Sequence, residues 1–210
     1  TRGNMSLLSE IHEQANILEN LLTTQMGHIE EVARLIRAKQ PPYIFLAARG
    51  TSDNAGRYAN YVWGSLNRIP VALATPSLFS IYQQPPRLNG ALVVGISQSG
   101  QSPDIVSVLS EARQQGSPTL AITNALSSPL AQAADWVIDI QAGKEAAVAA
   151  TKTYTAELMV IAMLSAAWIA EKESVEALAQ VPGWIRKVLD HTDNIIHMAE
   201  RYRYMERCVV

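Results

Sequence analysis

Apolar residues recur along this chain with two periods, and the switches between them mark its elements. Residues 6–25 place Leu7, Leu8, Ile11, Leu18, Leu21 and Leu22 at helical spacing, and Ile29, Val32, Ala33, Leu35 and Ile36 continue it in a second helix that Pro41-Pro42 ends. This N-terminal pair is expected to cover a sheet edge or to contact another subunit. Short apolar runs then predict five strands: Tyr43–Ala48, Ile69–Ala74, Ala91–Val94, Thr119–Thr123 and Trp136–Ile140. Between them lie helical segments at about Ala55–Leu66, at residues 77–82 with Ser77 as cap, at Pro103–Gln115 with Gly116 closing it, and after Pro129. A long apolar helix is predicted from Thr151 to about Ala170. Three short helices follow, through Val175–Val181, Pro182–Leu189 and His191–Tyr202. Strands alternating with helices at this spacing predict an α/β fold, a parallel sheet with helices on both faces.

Polar loops sit where such a sheet binds ligands, beyond the carboxyl ends of its strands. The richest is Ser97-Gln98-Ser99-Gly100-Gln101-Ser102, between an apolar strand and Pro103, a residue suited to a first helical turn. Free N–H groups, the positive helix end and three hydroxyls favour a bound anion, phosphate above all. Gly100 lets the backbone approach closely. The plainer alternative is a serine-rich turn with Ser102 as N-cap. Arg49-Gly50-Thr51-Ser52-Asp53-Asn54 repeats the same arrangement, with Asp53 or Asn54 as the expected cap and Arg49 as a surface or ion-pair arginine. The loop Ala142–Ala150 is the third. All three follow strands and are expected to line one edge.

Composition narrows the function classes. Hydrophobic residues make up 48% of the 210 and charged ones 17%, the balance of a globular protein. A formal net charge of −2 without a Lys/Arg run argues against nucleic acid or an anionic membrane as partner. Cys208 is the single cysteine, which excludes an intrachain disulfide and fits a cytoplasmic location. Met5 reads as a native start, with Thr1–Asn4 added to it. No segment has the length or apolarity of a membrane span. The four histidines, at 12, 28, 191 and 197, show no metal-ligand spacing, so no metal and no cofactor is expected. Gly95-Ile96-Ser97-Gln98-Ser99 lacks the closing glycine of a nucleophile elbow, which disfavours serine hydrolysis.

Five pieces in register carry a family resemblance: Arg49-Gly50-Thr51-Ser52, Ser97–Ile105, Ala121-Ile122-Thr123-Asn124, Ser128-Pro129-Leu130-Ala131, and Ala142–Glu145 with Val148–Lys152. The chain resembles the sugar isomerase (SIS) domain family. It is most similar to proteins with two such domains in tandem, the isomerase half of glutamine–fructose-6-phosphate aminotransferase and the SIS-type glucosamine-6-phosphate deaminases. Glu10–Gln14 resembles the family's leading helix. Ala15 replaces the usual proline, Gly64 and Pro76-Ser77 depart from the aminotransferase branch, and Thr75–Leu78 and Ser99–Asp104 are more similar to the deaminase-like one.

The resemblance implies a three-layer, flavodoxin-like α/β sandwich around a five-stranded parallel sheet. The expected organisation is N-terminal helices over 1–40, the domain proper over 41–171, a helical linker over 172–205, and at 206–210 the first strand of a truncated second domain. It also implies a sugar-phosphate ligand. A symmetric homodimer is expected on a separate ground: the apolar N-terminal helix pair and the apolar long helix suggest exposed hydrophobic surface. Ser52, Ser97, Gln98, Ser99 and Ser102 would contact phosphate, and Gly50, Thr51 and Val148 would line the sugar side. Glu145 opens the loop that would close over the substrate and is the one candidate base, although a flexible glycine loop is a poor place to tune a carboxylate. Lys152 is expected to bond within its own loop rather than to phosphate. The implied function is the phosphosugar-binding half of an isomerase or deaminase acting on glucosamine 6-phosphate or fructose 6-phosphate, with its catalytic base outside this chain. The alternative is a non-catalytic phosphosugar-sensing module of a regulator.

Overall fold

The computed structural model describes residues 2–207. Five strands form one parallel sheet: β1 (Ile44–Ala48), β2 (Val71–Leu73), β3 (Leu92–Ile96), β4 (Thr119–Thr123) and β5 (Trp136–Asp139), in the order β2-β1-β3-β4-β5. The chain leaves β1 outward to β2 and then returns to β3 on the other side. The strand order therefore reverses between β1 and β3, which pair from Ile44 with Leu92 to Ala48 with Ile96. In sheets of this kind ligands bind beyond the carboxyl ends at that reversal.

Period-2 alternation sorts the strand side chains onto two faces. Ile44, Leu46, Leu92, Val94, Ile96, Leu120, Ile122 and Ile138 face one core; Ala47, Val93 and Ala121 face the other. The first core is closed by α1 (Arg2–Thr24), α2 (Met26–Lys39), α3 (Thr51–Ser65) and α7 (Lys152–Ile169). The second is closed by α4 (Ser77–Ser80), α5 (Pro103–Gln114) and α6 (Pro129–Ala133). The result is three layers, as the alternation of elements predicts.

Helix α7 is apolar on all sides because it is central: α1, α2 and α3 all pack on it. Trp63 of α3 is fully buried there and donates its indole N–H to Ile161 O at 3.2 Å. The N-terminal pair thus covers the long helix, and α7 offers no bare apolar surface for a second subunit. Exposed apolar groups lie elsewhere: Tyr61 on α3, Ile81 and Tyr82 after α4, and Trp184 and Val188 on α9 (Val181–Leu189). The C-terminal segment comprises α8 (Lys172–Leu178), α9, α10 (Thr192–Ala199) and a 3-10 turn at Glu200–Tyr202. Glu206 and Arg207 have no regular structure, and the remainder of the strand expected at 206–210 lies outside the described residues.

Several boundaries differ from the sequence reading. Helix α3 begins at Thr51, four residues earlier than expected, and its cap is Gly50 rather than Asp53 or Asn54. Gly50 has φ +57°, a left-handed value that glycine adopts without strain, so the turn can tighten before the polar run ends. The strand expected over Ile69–Ala74 contracts to Val71–Leu73, since β2 is an edge strand and its ladder extends only where it faces β1. Helix α4 starts after Pro76, and Ser77 does not cap it.

Candidate functional site

Three strand-end segments converge on one cleft of about 270 Å³. From β1 and α3 come Arg49, Thr51 and Ser52. From the β3–α5 loop come Ser97, Gln98, Ser99 and Ser102. From the segment before α7 and its first turns come Val148, Ala150, Thr153, Tyr154 and Glu157. Of the residues singled out from sequence, seven line this space together with Val148's neighbours. Gly50 instead shapes the turn into α3, and Glu145 lies one step back, holding the third segment.

The serine loop is built to present donors. Ser97 Oγ accepts the Gly100 N–H at 3.1 Å, and Ser99 Oγ accepts the Gln101 N–H at 3.3 Å. Each hydroxyl is used as an acceptor, which leaves its proton for an anion. Ser102 occupies the N-cap position of α5 but its side chain makes no capping bond, so its hydroxyl and the Asp104 N–H are not consumed, whereas the Ile105 N–H is taken by Ser102 O at 3.1 Å and Asp104 Oδ1 at 3.1 Å. Gly100 has φ +61°, and a Cβ there would collide with Ser128. The close approach that this glycine permits is therefore to Ser128, whose Oγ caps α6 through the Ala131 N–H at 3.3 Å. Arg49 pairs with Asp104 in the first turn of α5 and so ties the segment after β1 to the segment after β3.

The segment from Ala142 to Thr151 is pinned rather than loose. Glu10 of α1 accepts the N–H groups of Ala146 and Ala147 at 2.5 and 3.1 Å. Asn124 accepts from Ala142 N–H at 2.9 Å and donates to Gly143 O at 2.6 Å. Lys152 is buried, and its Nζ meets Glu13 Oε2 at 2.6 Å, a partner on α1 and not in the loop. That corrects the expected intra-loop bond, and the reason is packing: α1 lies along α7 and brings Glu13 to a lysine that cannot stay buried unpaired. Val148 stands fully exposed at the rim.

Glu145 closes the segment onto α7. One oxygen accepts the Thr151 N–H at 2.8 Å and the Thr151 hydroxyl at 3.2 Å, and the other accepts the Thr153 hydroxyl. Burial pushes its pKa up, but these bonds from Thr153 and Thr151 outweigh that and leave it below the usual carboxylate value. Glu145 is thus engaged as an anionic cap.

Glu157 escaped the sequence reading. It is 1% exposed, and Ser52 Oγ lies 2.8 Å from its Oε1. Burial, only partly offset by the Ser52 bond and reinforced by the negative charge of Glu145, raises its pKa to about 7. The signal was present: apart from Lys152 it is the only charged residue of α7, and a lone acid in an all-round apolar helix is seldom buried without a task. A larger groove of about 630 Å³ is lined by α2, the end of α7 and α8, but none of the strand-end loops reaches it. Among the described residues no cluster of His, Cys, Asp or Glu is arranged to hold a metal ion, and no helix is long and apolar enough to cross a membrane.

Known proteins resemble this chain in sequence and fold. Glutamine–fructose-6-phosphate aminotransferase [isomerizing] of Thermus thermophilus is 32% identical over 93% of this chain, which corresponds to 34% of that enzyme. The chain therefore spans about a third of the length of this curated relative. A crystal structure from Silicibacter pomeroyi, of a protein described as a phosphosugar isomerase, superposes with a TM-score of 0.83 at 36% identity, covering 86% of this chain and 55% of that one. The Vibrio vulnificus NanR protein, solved with ManNAc-6P, shares the fold at a TM-score of 0.58 and 15% identity, over 90% of this chain and 70% of its own. The SIS domain profile matches residues 36–167, the span that contains every strand among the described residues, all three converging segments and most of α7; the chain belongs to the SIS domain family.

Proposed function

We propose that this chain is the phosphosugar-binding half of a tandem-SIS enzyme that isomerises or deaminates an amino-sugar 6-phosphate, of the glucosamine 6-phosphate or fructose 6-phosphate type. One observation carries the reading: Ser52, Ser97, Ser99 and Ser102 meet in a single cleft beside the start of α5, where no side chain caps the helix, at the strand-order reversal. The phosphate would sit on this donor set, and Thr51 and the exposed Val148 would face the sugar.

Such reactions move a proton between C1 and C2 next to a carbonyl or imine, and they need a carboxylate base with help for ring opening. This chain contributes binding and orientation, which supply a large part of a catalytic effect. Glu145 is committed to Thr151 and Thr153, so the base is proposed to come from outside residues 1–210, from a second domain following the linker 172–205. A cytoplasmic homodimer completes the reading; the exposed Tyr61, Ile81 and Tyr82 support an interface on the β2 side of the molecule.

The test is calorimetry with glucosamine 6-phosphate and with free glucosamine. Joint Ser97→Ala and Ser99→Ala substitution is expected to weaken the phosphorylated ligand by about 1–3 kcal/mol and leave the other unchanged. Equal affinity of the unaltered chain for the two ligands would sink the reading. Binding without turnover, in this chain and in any longer protein containing it, would favour the sensing module instead.

A further inference from the structure

We propose that Glu157 is a positioning residue of the anion site: its carboxyl holds a proton while a phosphate monoester is bound and, by donating that proton's hydrogen bond to Ser52, turns the Ser52 hydroxyl toward the anion. The inference rests on the reading of the cleft as a phosphosugar site.

The geometry leaves Ser52 two options. Its Oγ is 2.8 Å from Glu157 Oε1 and carries one proton. An ionised carboxylate only accepts, so Ser52 must donate to it and turn lone pairs to the cleft, where they repel an anion. A neutral carboxyl can donate instead, and the serine proton is then free for phosphate. The second oxygen supports the neutral form: Glu157 Oε2 is buried and has no hydrogen-bond partner among the described residues. Ionising a carboxylate with one dry, unpartnered oxygen is costly.

The charged surroundings point the same way. Glu145, one step behind the cleft, adds negative charge. The cations nearby are committed elsewhere: Lys152 to Glu13 of α1, Arg49 to Asp104 of α5, and Arg57 to Asp53 on α3. Glu10 of α1 is held by the N–H groups of Ala146 and Ala147, and Tyr154 is the remaining titratable group of α7 in the cleft. With a pKa already raised to about 7, Glu157 is largely ionised in mildly alkaline solution while the site is empty. A phosphate dianion raises that pKa further by repulsion, so binding takes up a proton from solvent. The ligand's own second ionisation, at about pH 6, falls below this window.

Fructose 6-phosphate is the suitable probe because it has no amino group to titrate. The unaltered chain is expected to bind it with uptake of up to one proton at about pH 8, read from the dependence of calorimetric heat on buffer ionisation enthalpy, and with affinity falling toward about tenfold per pH unit between about pH 7.5 and 9. Glu157→Gln, whose amide can donate to Ser52 at any pH, should bind with flat affinity over that range and no proton uptake. Buffer-independent heats with flat affinity in the unaltered chain would overturn the proposal, as would an unchanged pH slope in Glu157→Gln. Should that variant not fold, the proton uptake of the unaltered chain decides alone. Failure of fructose 6-phosphate to bind at any pH would overturn the phosphosugar reading and this inference with it, whereas binding without proton uptake overturns this inference only.

Discussion

The segment that leads into α7 and the buried face of α7 itself carry one carboxylate each, and they treat the same chemical group in opposite ways. Glu145 is surrounded by donors, two of them backbone N–H groups at a helix start, and its charge is stabilised. Glu157 is buried with one hydroxyl for a partner, and its charge is penalised. Distance along the chain does not separate the two cases; the number of donors does. An anionic cap suits a rigid wall, and a carboxyl that can hold its proton near neutrality suits the anion site proposed for the cleft.

The contrast can be broken most strongly through pH. Glu157 has a folded-state pKa above its unfolded value, so its contribution is fully present below about 4.5 and is lost as pH rises toward 7, on the order of 3 kcal/mol of stability by mild alkali. Glu145 has a folded-state pKa below its unfolded value, so its contribution is present above that value and is lost as pH falls through the folded one. Urea unfolding across pH is therefore expected to show Glu157→Gln losing the decline between pH 4.5 and 7 while keeping the acid-side loss. A decline that survives the substitution would mean that Glu157 ionises freely.

A middle-sized effect tests the other arm. Glu145→Ala leaves the Thr151 and Thr153 N–H groups without their acceptor and should cost about 1–2 kcal/mol, the range of a lost helix cap. It should also raise hydrogen exchange in residues 144–151, with α7 beyond its first turn unaffected. Stability equal to the unaltered protein would show that Glu10 and Asn124 suffice to hold the segment.

The smallest effect separates solvent-facing electrostatics from both. Arg49 is 65% exposed in its pair with Asp104, so Arg49→Ala should change stability by no more than about 1 kcal/mol. Its larger consequence is expected in ligand affinity at low salt, because the pair sits at the cleft. A stability loss of several kcal/mol would show that the bridge between the segments after β1 and β3 holds the fold as well.

Much of the architecture was legible before any coordinates. Strand β4 and the span of α5 follow directly from apolar runs bounded by Pro, Gly and Ser, because those signals act within a few residues. The serine loop was legible for the same reason: three hydroxyls and a glycine between a strand and Pro103 state their chemistry locally. The early start of α3 was not, since the left-handed turn at Gly50 is one of several conformations a glycine permits.

What the sequence determined by itself was the order of elements and the polar character of three strand-end loops, both products of short-range pattern. The tertiary structure decided which charges meet. Glu13 finds Lys152, Glu10 finds Ala146 and Ala147, and Ser52 finds Glu157, each across more than a hundred residues of chain. Protonation follows from those meetings: a carboxylate's state depends on the donors and dielectric around it, and periodicity along one segment holds no information about what another segment brings.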